Sequence, residues 1–175
     1  TKSVNNYDYT TNFSSDGSTT EVTDPLGQTI EYEYSSTGQV KNVIIEAAKI
    51  TTTFDASTGL PTATSDPSHG NSAATYNALG QLVTSTDARG NAFRYIYNDP
   101  LNRLKRIENI NESTEYFNFY YVASGNGKGQ LESKSYTSDG LTTWLNYTYD
   151  ELGRVESESK TIGTTTYTIT HQYDD

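Results

Sequence analysis

The sequence of 175 residues contains no cysteine, no methionine, a single tryptophan and only four prolines. Without cysteine there is no disulfide framework and no thiolate metal site. Strongly apolar residues are scarce as well. Valine, isoleucine, leucine and phenylalanine together number 31, a share that by itself points towards disorder rather than a packed core. Basic residues number 12 against 22 acidic ones, giving a formal net charge of −10. That balance repels a phosphate backbone and argues against nucleic-acid binding. The acids are not clustered, so they are expected to serve solubility and to protect exposed strands. No apolar run reaches membrane-spanning length, and no leader peptide is visible.

What the chain has instead is tyrosine, 15 of them, set among many threonines. This composition favours sheet over helix. The tyrosines also make up for the missing aliphatics, because each buries a large ring while its hydroxyl finds a partner. They recur in a phrase: an aromatic, a polar turn, a glycine, then an aliphatic residue. The fullest copy is Tyr147-Thr148-Tyr149-Asp150-Glu151-Leu152-Gly153-Arg154-Val155. Weaker copies run from Tyr32 and Tyr34 to Val40, and from Tyr76 to Leu82. The aromatic before each turn is Tyr34, Phe54, Tyr76, Tyr97, Tyr121, Tyr149 and Tyr173, at steps of 20, 22, 21, 24, 28 and 24 residues. The turn glycines Gly38, Gly59, Gly80, Gly129 and Gly153 keep the same beat, with Asn102 in the remaining place. Asparagine is the next most tolerant residue of a left-handed backbone. The long step contains a glycine-rich insertion, Ser124 to Gly129. A fixed period of this length means a repeat architecture, each unit covering its neighbour.

A second series of turns alternates with the first: Asp24-Pro25-Leu26-Gly27, Asp66 to Gly70, Asp87-Ala88-Arg89-Gly90 and Ser138-Asp139-Gly140. Asp first, Pro second and Gly fourth is the order of a type I turn, closed by a bulge at a left-handed glycine. Two turns per unit leave two strands of ordinary length. Before the first turn, Ile30, Tyr32 and Tyr34 share one face, as do Phe93, Tyr95 and Tyr97. Phe117, Phe119 and Tyr121 repeat the pattern, followed by Leu145, Tyr147 and Tyr149, then Ile169, His171 and Tyr173. After the turn, simple alternation sets Val155, Ser157 and Ser159 against Glu156, Glu158 and Lys160. Val43 to Ile50 reads as strand with an irregular bend.

Exposed aromatics beside acids suit sugar stacking, but the regular tyrosines are spaced as a packed sheet requires. Tyr116, Tyr120 and Trp144 fall on the other face and are the candidates for surface recognition. His69 and His171 have no fixed partner, and the turn aspartates, Asp24 and Asp150 among them, are explained by capping of backbone amides. No calcium-type loop, nucleophile elbow or phosphate-cradling loop is present. No catalytic residue, metal or cofactor is therefore assigned.

Tyr149-Asp150 with Gly153-Arg154, repeated with Asp-Pro-Leu-Gly turns, resembles the Rhs or YD-repeat family over about Asp24 to Asp175. Asn77 and Asn98 depart from its aspartate, and Gln39, Gln81 and Gln130 depart from its arginine. The resemblance implies a strip of antiparallel hairpins coiling into a shell, as in bacterial polymorphic toxins, insecticidal toxin complexes, wall-associated proteins and teneurins. It implies a non-catalytic scaffold, secreted or cell-wall associated, that encloses or presents an effector of the same polypeptide. The alternative is an adhesion array that binds cell-surface glycan. On this reading residues 1–23 are a degenerate repeat, 24–172 about six units, and 173–175 the start of another. The chain opens near Tyr7-Asp8 without a full unit. Unpaired end strands are expected to self-associate.

Overall fold

The computed structural model describes residues 9–174, so Tyr7 and Asp8 lie outside the described residues. The chain divides into two compact units, Thr1–Gly90 and Asn91–Asp175. Unit 1 holds β1 (Thr10–Phe13), β2 (Thr19–Thr23), β3 (Thr29–Tyr34), β4 (Val40–Ile45), β5 (Ala48–Phe54), β6 (Pro61–Asp66), β7 (Gly70–Tyr76) and β8 (Leu82–Thr86). Unit 2 holds β9 (Ala92–Ile96), β10 (Arg106–Asn109), β11 (Tyr116–Tyr121), β12 (Leu131–Ser138), β13 (Leu141–Tyr149), β14 (Val155–Ile162) and β15 (Thr165–Thr170). Within each unit every strand pairs antiparallel with the next in sequence. The described residues contain no helix. The all-β strip of hairpins expected from the tyrosine and threonine content is what forms.

A single sheet layer has nothing to close a core against. No hydrophobic side chain is fully buried among the described residues, and the buried ones are polar: Asn42, Ser133, Ser135 and Thr137. The strand tyrosines Tyr32, Tyr34, Tyr76, Tyr95, Tyr121, Tyr147 and Tyr149, together with Phe54, Phe119 and Tyr97 just beyond β9, are half-buried. Neighbouring strands, rather than a second layer, cover them.

Five hairpins carry a register shift beside the turn, at Tyr34, Phe54, Tyr76, Tyr121 and Tyr149. In each, the second residue of the following strand has no opposite number: Lys41, Thr62, Val83, Glu132 and Glu156. Such a bulge inserts one residue and reverses the alternation beyond it. Val155 therefore faces with Tyr149, and after the bulge Glu158 pairs with Tyr147 and Lys160 with Leu145. Ser157 and Ser159 sit opposite Thr148 and Asn146, on the Trp144 side. Simple alternation had grouped Val155 with the serines, and the bulge at Glu156 corrects it.

The second turn series is less uniform than its sequence suggests. Ser138-Asp139-Gly140 is not a type I turn: Ser138 pairs with Leu141, leaving a two-residue loop with Asp139 at φ +50° and Gly140 at φ +76°. Successive left-handed residues are the signature of a type I′ hairpin, whose twist matches the strands. Val43 to Ile50 is not a bent strand either. Ile45 pairs with Ala48 across a two-residue reversal, with Glu46 at φ +55°. Glutamate carries no signal for that conformation, so the turn is invisible in the sequence.

Candidate functional site

The repeated phrase builds one turn several times over. At Asp150, the amide bonds to Arg154 O at 2.9 Å, and Gly153 N returns to Asp150 O at 3.0 Å. The Asp150 carboxylate accepts the Leu152 amide at 2.9 Å and the Arg154 amide at 2.8 Å. Asp99 caps Leu101 and Arg103 in the same way, Asn77 caps Leu79 and Gln81, and Ser35 caps Thr37 and Gln39. Asp24 caps Leu26 and Gln28 in the second series. The closing residue is left-handed at Gly38, Gly59, Gly80, Gly129 and Gly153, and Asn102 adopts φ +58° in their place. Gly27, Gly70 and Gly90 are left-handed as well.

Across two of these turns a carboxylate meets a guanidinium. Asp99–Arg103 and Asp150–Arg154 each approach to 2.6 Å. Hydrogen bonding from Arg103 holds the Asp99 carboxyl well below the usual carboxylate range. Partial burial pushes Asp150 up, but the Arg154 side chain and amide outweigh it, and its carboxyl is lowered. At Asn77 and Gln81, where the sequence departs from Asp and Arg, the contact survives in neutral form: Asn77 Nδ2 donates to Gln81 Oε1 at 2.8 Å.

Two further contacts tie several phrases to the next, and neither is legible in the sequence. The tyrosine before a turn sends its hydroxyl to a backbone carbonyl at the start of the preceding repeat's outgoing strand. Tyr76 reaches Pro61 O at 2.9 Å, Tyr121 reaches Leu104 O at 2.8 Å, Tyr149 reaches Leu131 O at 2.6 Å, and Tyr173 reaches Val155 O at 2.7 Å. The residue after the glycine reaches forward to the next turn's glycine carbonyl. Gln39 donates to Gly59 O at 2.6 Å, Arg103 Nη1 to Gly129 O at 2.8 Å, and Gln130 to Gly153 O at 2.8 Å. The arginines also lie over the next tyrosine ring, Arg103 on Tyr121 at 3.9 Å and Arg154 on Tyr173 at 4.3 Å. The glycine-rich insertion packs here too. A Cβ on Gly127 would stand 2.3 Å from the Tyr149 ring.

Tyr116, Tyr120 and Trp144 come together on the other face of unit 2, across the buried Ser133, Ser135 and Thr137 of β12. Tyr120 and Trp144 touch with ring centroids 5.7 Å apart. Lys105 lies over Tyr120 at 4.6 Å and Arg106 over Tyr116 at 4.1 Å. Arg106 Nε is 3.1 Å from Glu108 Oε1, near enough for an ion pair yet misaligned for a hydrogen bond. All three rings are half-buried, and the two tyrosines are engaged with cations, unlike open stacking platforms for a sugar. His69 is exposed and pairs with Asp66 at 3.1 Å, and His171 lies 3.6 Å from Glu158. No group of three or more His, Asp or Glu side chains among the described residues is placed to hold a metal. No described helix is long and apolar enough to cross a membrane.

Residues 76–109 match the RHS Repeat family. No curated protein matches the chain. Among solved structures, a TcdB2-TccC3-Cdc42 crystal structure aligns with a TM-score of 0.71 at 18% identity, covering 93% of this chain and 10% of that one. A Photorhabdus luminescens Tc holotoxin pore carrying a TccC3 mutation aligns with a TM-score of 0.72 at 16% identity, covering 94% and 9%. At such identities the likeness establishes the fold. The chain spans about a tenth of the length of the chains it matches.

Proposed function

We propose that this chain is a non-catalytic scaffold, a run of RHS/YD-type hairpins forming part of a shell that encloses or presents an effector of the same polypeptide in a secreted bacterial toxin. The observation that carries this reading is where the repeated residues go. Aspartate caps the turn, glycine reverses it, and tyrosine and Gln or Arg bind the neighbouring repeat, so structure accounts for these members of the phrase. The half-exposed apolar side chains fit the same picture, because a sheet layer of this kind needs material against it. Secretion and wall association belong to this proposal, as does the absence of catalysis by this segment.

Limited proteolysis of the full-length protein tests it. The segment beyond the array should resist cleavage while the shell is intact and become sensitive when Tyr149→Ala and Arg154→Ala loosen two successive contacts. Equal sensitivity of that segment with and without the intact array contradicts enclosure. The alternative, an adhesion or glycan-binding array, draws on Tyr116, Tyr120 and Trp144 sharing one face. Saturable glycan binding lost on Trp144→Ala would favour it over the scaffold.

A further inference from the structure

In unit 1 the residue after a turn glycine bonds to the next turn at Gln39, lies against the next glycine as an apolar side chain at Leu60, and falls short at Ser18. The first turn runs Ser14-Ser15-Asp16-Gly17, with Gly17 left-handed at φ +71° and its amide on Ser14 O at 3.0 Å. Ser18 therefore holds the position occupied by Gln39, Arg103, Gln130 and Arg154 in later turns. Its side chain is too short to reach the next turn, and its hydroxyl folds back onto Asp16 Oδ1 at 2.7 Å. In the space a longer side chain would fill lies an open cavity of about 550 Å³, lined by Phe13, Asp16, Ser18, Tyr34, Ser35 and Gly38 among others.

We infer that this cavity is a vacant guanidinium slot that accepts an arginine side chain from a partner polypeptide. Its walls match what surrounds Arg103, where one guanidinium lies 3.9 Å over the Tyr121 ring and donates to Gly129 O. Tyr34 and Gly38 are the corresponding ring and carbonyl of the next turn here. Ser14 stands where Asp99 stands beside Arg103, and Asp16, from the third position of the turn, lines the cavity with a carboxylate instead. The Ser18 amide and hydroxyl hold the Asp16 carboxyl at about 2, so it is charged at neutral pH. A planar fork of donors over an aromatic face beside a carboxylate suits arginine better than lysine, whose ammonium is a compact, strongly hydrated point charge.

The test uses amide chemical shifts of the chain titrated with acetyl-arginine-methylamide and, in parallel, acetyl-lysine-methylamide. The arginine probe should give saturable shifts confined to residues 13–20 and 34–38, and the lysine probe weaker ones. Tyr34→Ala should weaken binding about two- to fivefold. Ser18→Arg should abolish binding by filling the slot and should raise the melting temperature. Ser18→Gln, which copies Gln39 and Gln130, provides the same reading should the arginine variant fold poorly. The inference is overturned by an absence of saturable shifts, by equal binding of the two probes, or by probe binding that survives both Ser18 substitutions.

Discussion

Within each unit, the turns that follow a motif tyrosine and the turns at the other ends of the strands both reverse the chain, yet they are held differently. Most motif turns carry a side-chain cap, and three reach the next turn by a Gln or Arg bonded to its glycine carbonyl, with tyrosine hydroxyls adding a second tie. The turns at the other ends range from a capped type I form at Asp24 to two-residue reversals at Glu46-Ala47 and Asp139-Gly140. Backbone geometry is demanding at both ends, since left-handed residues occur in each. The difference lies between neighbours. Most of the side-chain bonds between successive turns lie at the motif ends, where sequence is tightly prescribed, whereas the opposite ends carry fewer, such as Ser138 Oγ to Glu115 Oε1 at 3.2 Å.

The strongest test of this contrast is Gly127→Ala. Its methyl would collide with the Tyr149 ring and also force alanine into φ +71°. A loss of about 2–4 kcal/mol in chemical denaturation is expected from overpacking and left-handed strain together. A loss below that range would mean the insertion packs loosely. Next comes a pair of glycines, one from each end. Gly153→Ala should cost about 1–2 kcal/mol through its φ of +75°, plus a small term from Gln130 Nε2 lying 3.1 Å from the new methyl. Gly90→Ala, at φ +83° with nothing within 4 Å, should show the backbone cost alone. Identical losses at the two positions would remove the inter-turn contact from the account.

The tyrosine hydroxyl can be probed in both directions. Tyr149→Phe should destabilise by about 0.5–1.5 kcal/mol through loss of its bond to Leu131 O. Phe54 is the one motif aromatic of this series without a hydroxyl, so Phe54→Tyr should recover a similar amount if the added hydroxyl reaches Val40 O as its counterparts reach theirs. Neutral substitutions in both cases would make the ring, not the hydroxyl, the reason for tyrosine. At the opposite end, Glu46→Gly relieves a left-handed glutamate and should stabilise by up to about 1 kcal/mol.

The smallest effect concerns acid. Asp55 is held at about 2, chiefly by the Ser57 hydroxyl and the Thr58 amide, and Asp99 and Asp150 are lowered too. A carboxylate depressed in the folded state stabilises fully above its unfolded value of about 4, and that contribution disappears as pH falls through the folded value. The urea midpoint should hold steady from about pH 7 to 5 and drop between about 4 and 2, with a shallower drop in Asp55→Asn. A midpoint that stays flat through that acid range would contradict the caps.

The period, the strand class and the turn positions are legible in the sequence because they depend on local chemistry. Tyrosines two apart share a pleated face, and glycine or asparagine is needed wherever φ is positive, which is why Asn102 is readable as a turn glycine. The aspartate caps are local too, spanning at most four residues. Less accessible is anything set by a neighbour in space. The bulge at Glu156 changes which face every later residue of β14 presents, yet a one-residue skip leaves no mark in composition. Tyr116, Tyr120 and Trp144 are visible as off-face aromatics, but their pairing with Lys105 and Arg106 depends on register across three strands.

By itself, then, the sequence determined that this chain alternates, turns and repeats, since those follow from side-chain preference and backbone sterics over a few residues. Tertiary structure decided the rest: that the tyrosine hydroxyl and the Gln or Arg beyond the glycine serve the adjoining repeat, and that Ser18 leaves a gap where Gln39, Arg103 and Gln130 bridge. Those contacts join residues about twenty positions apart, where only pairing register fixes which atoms meet.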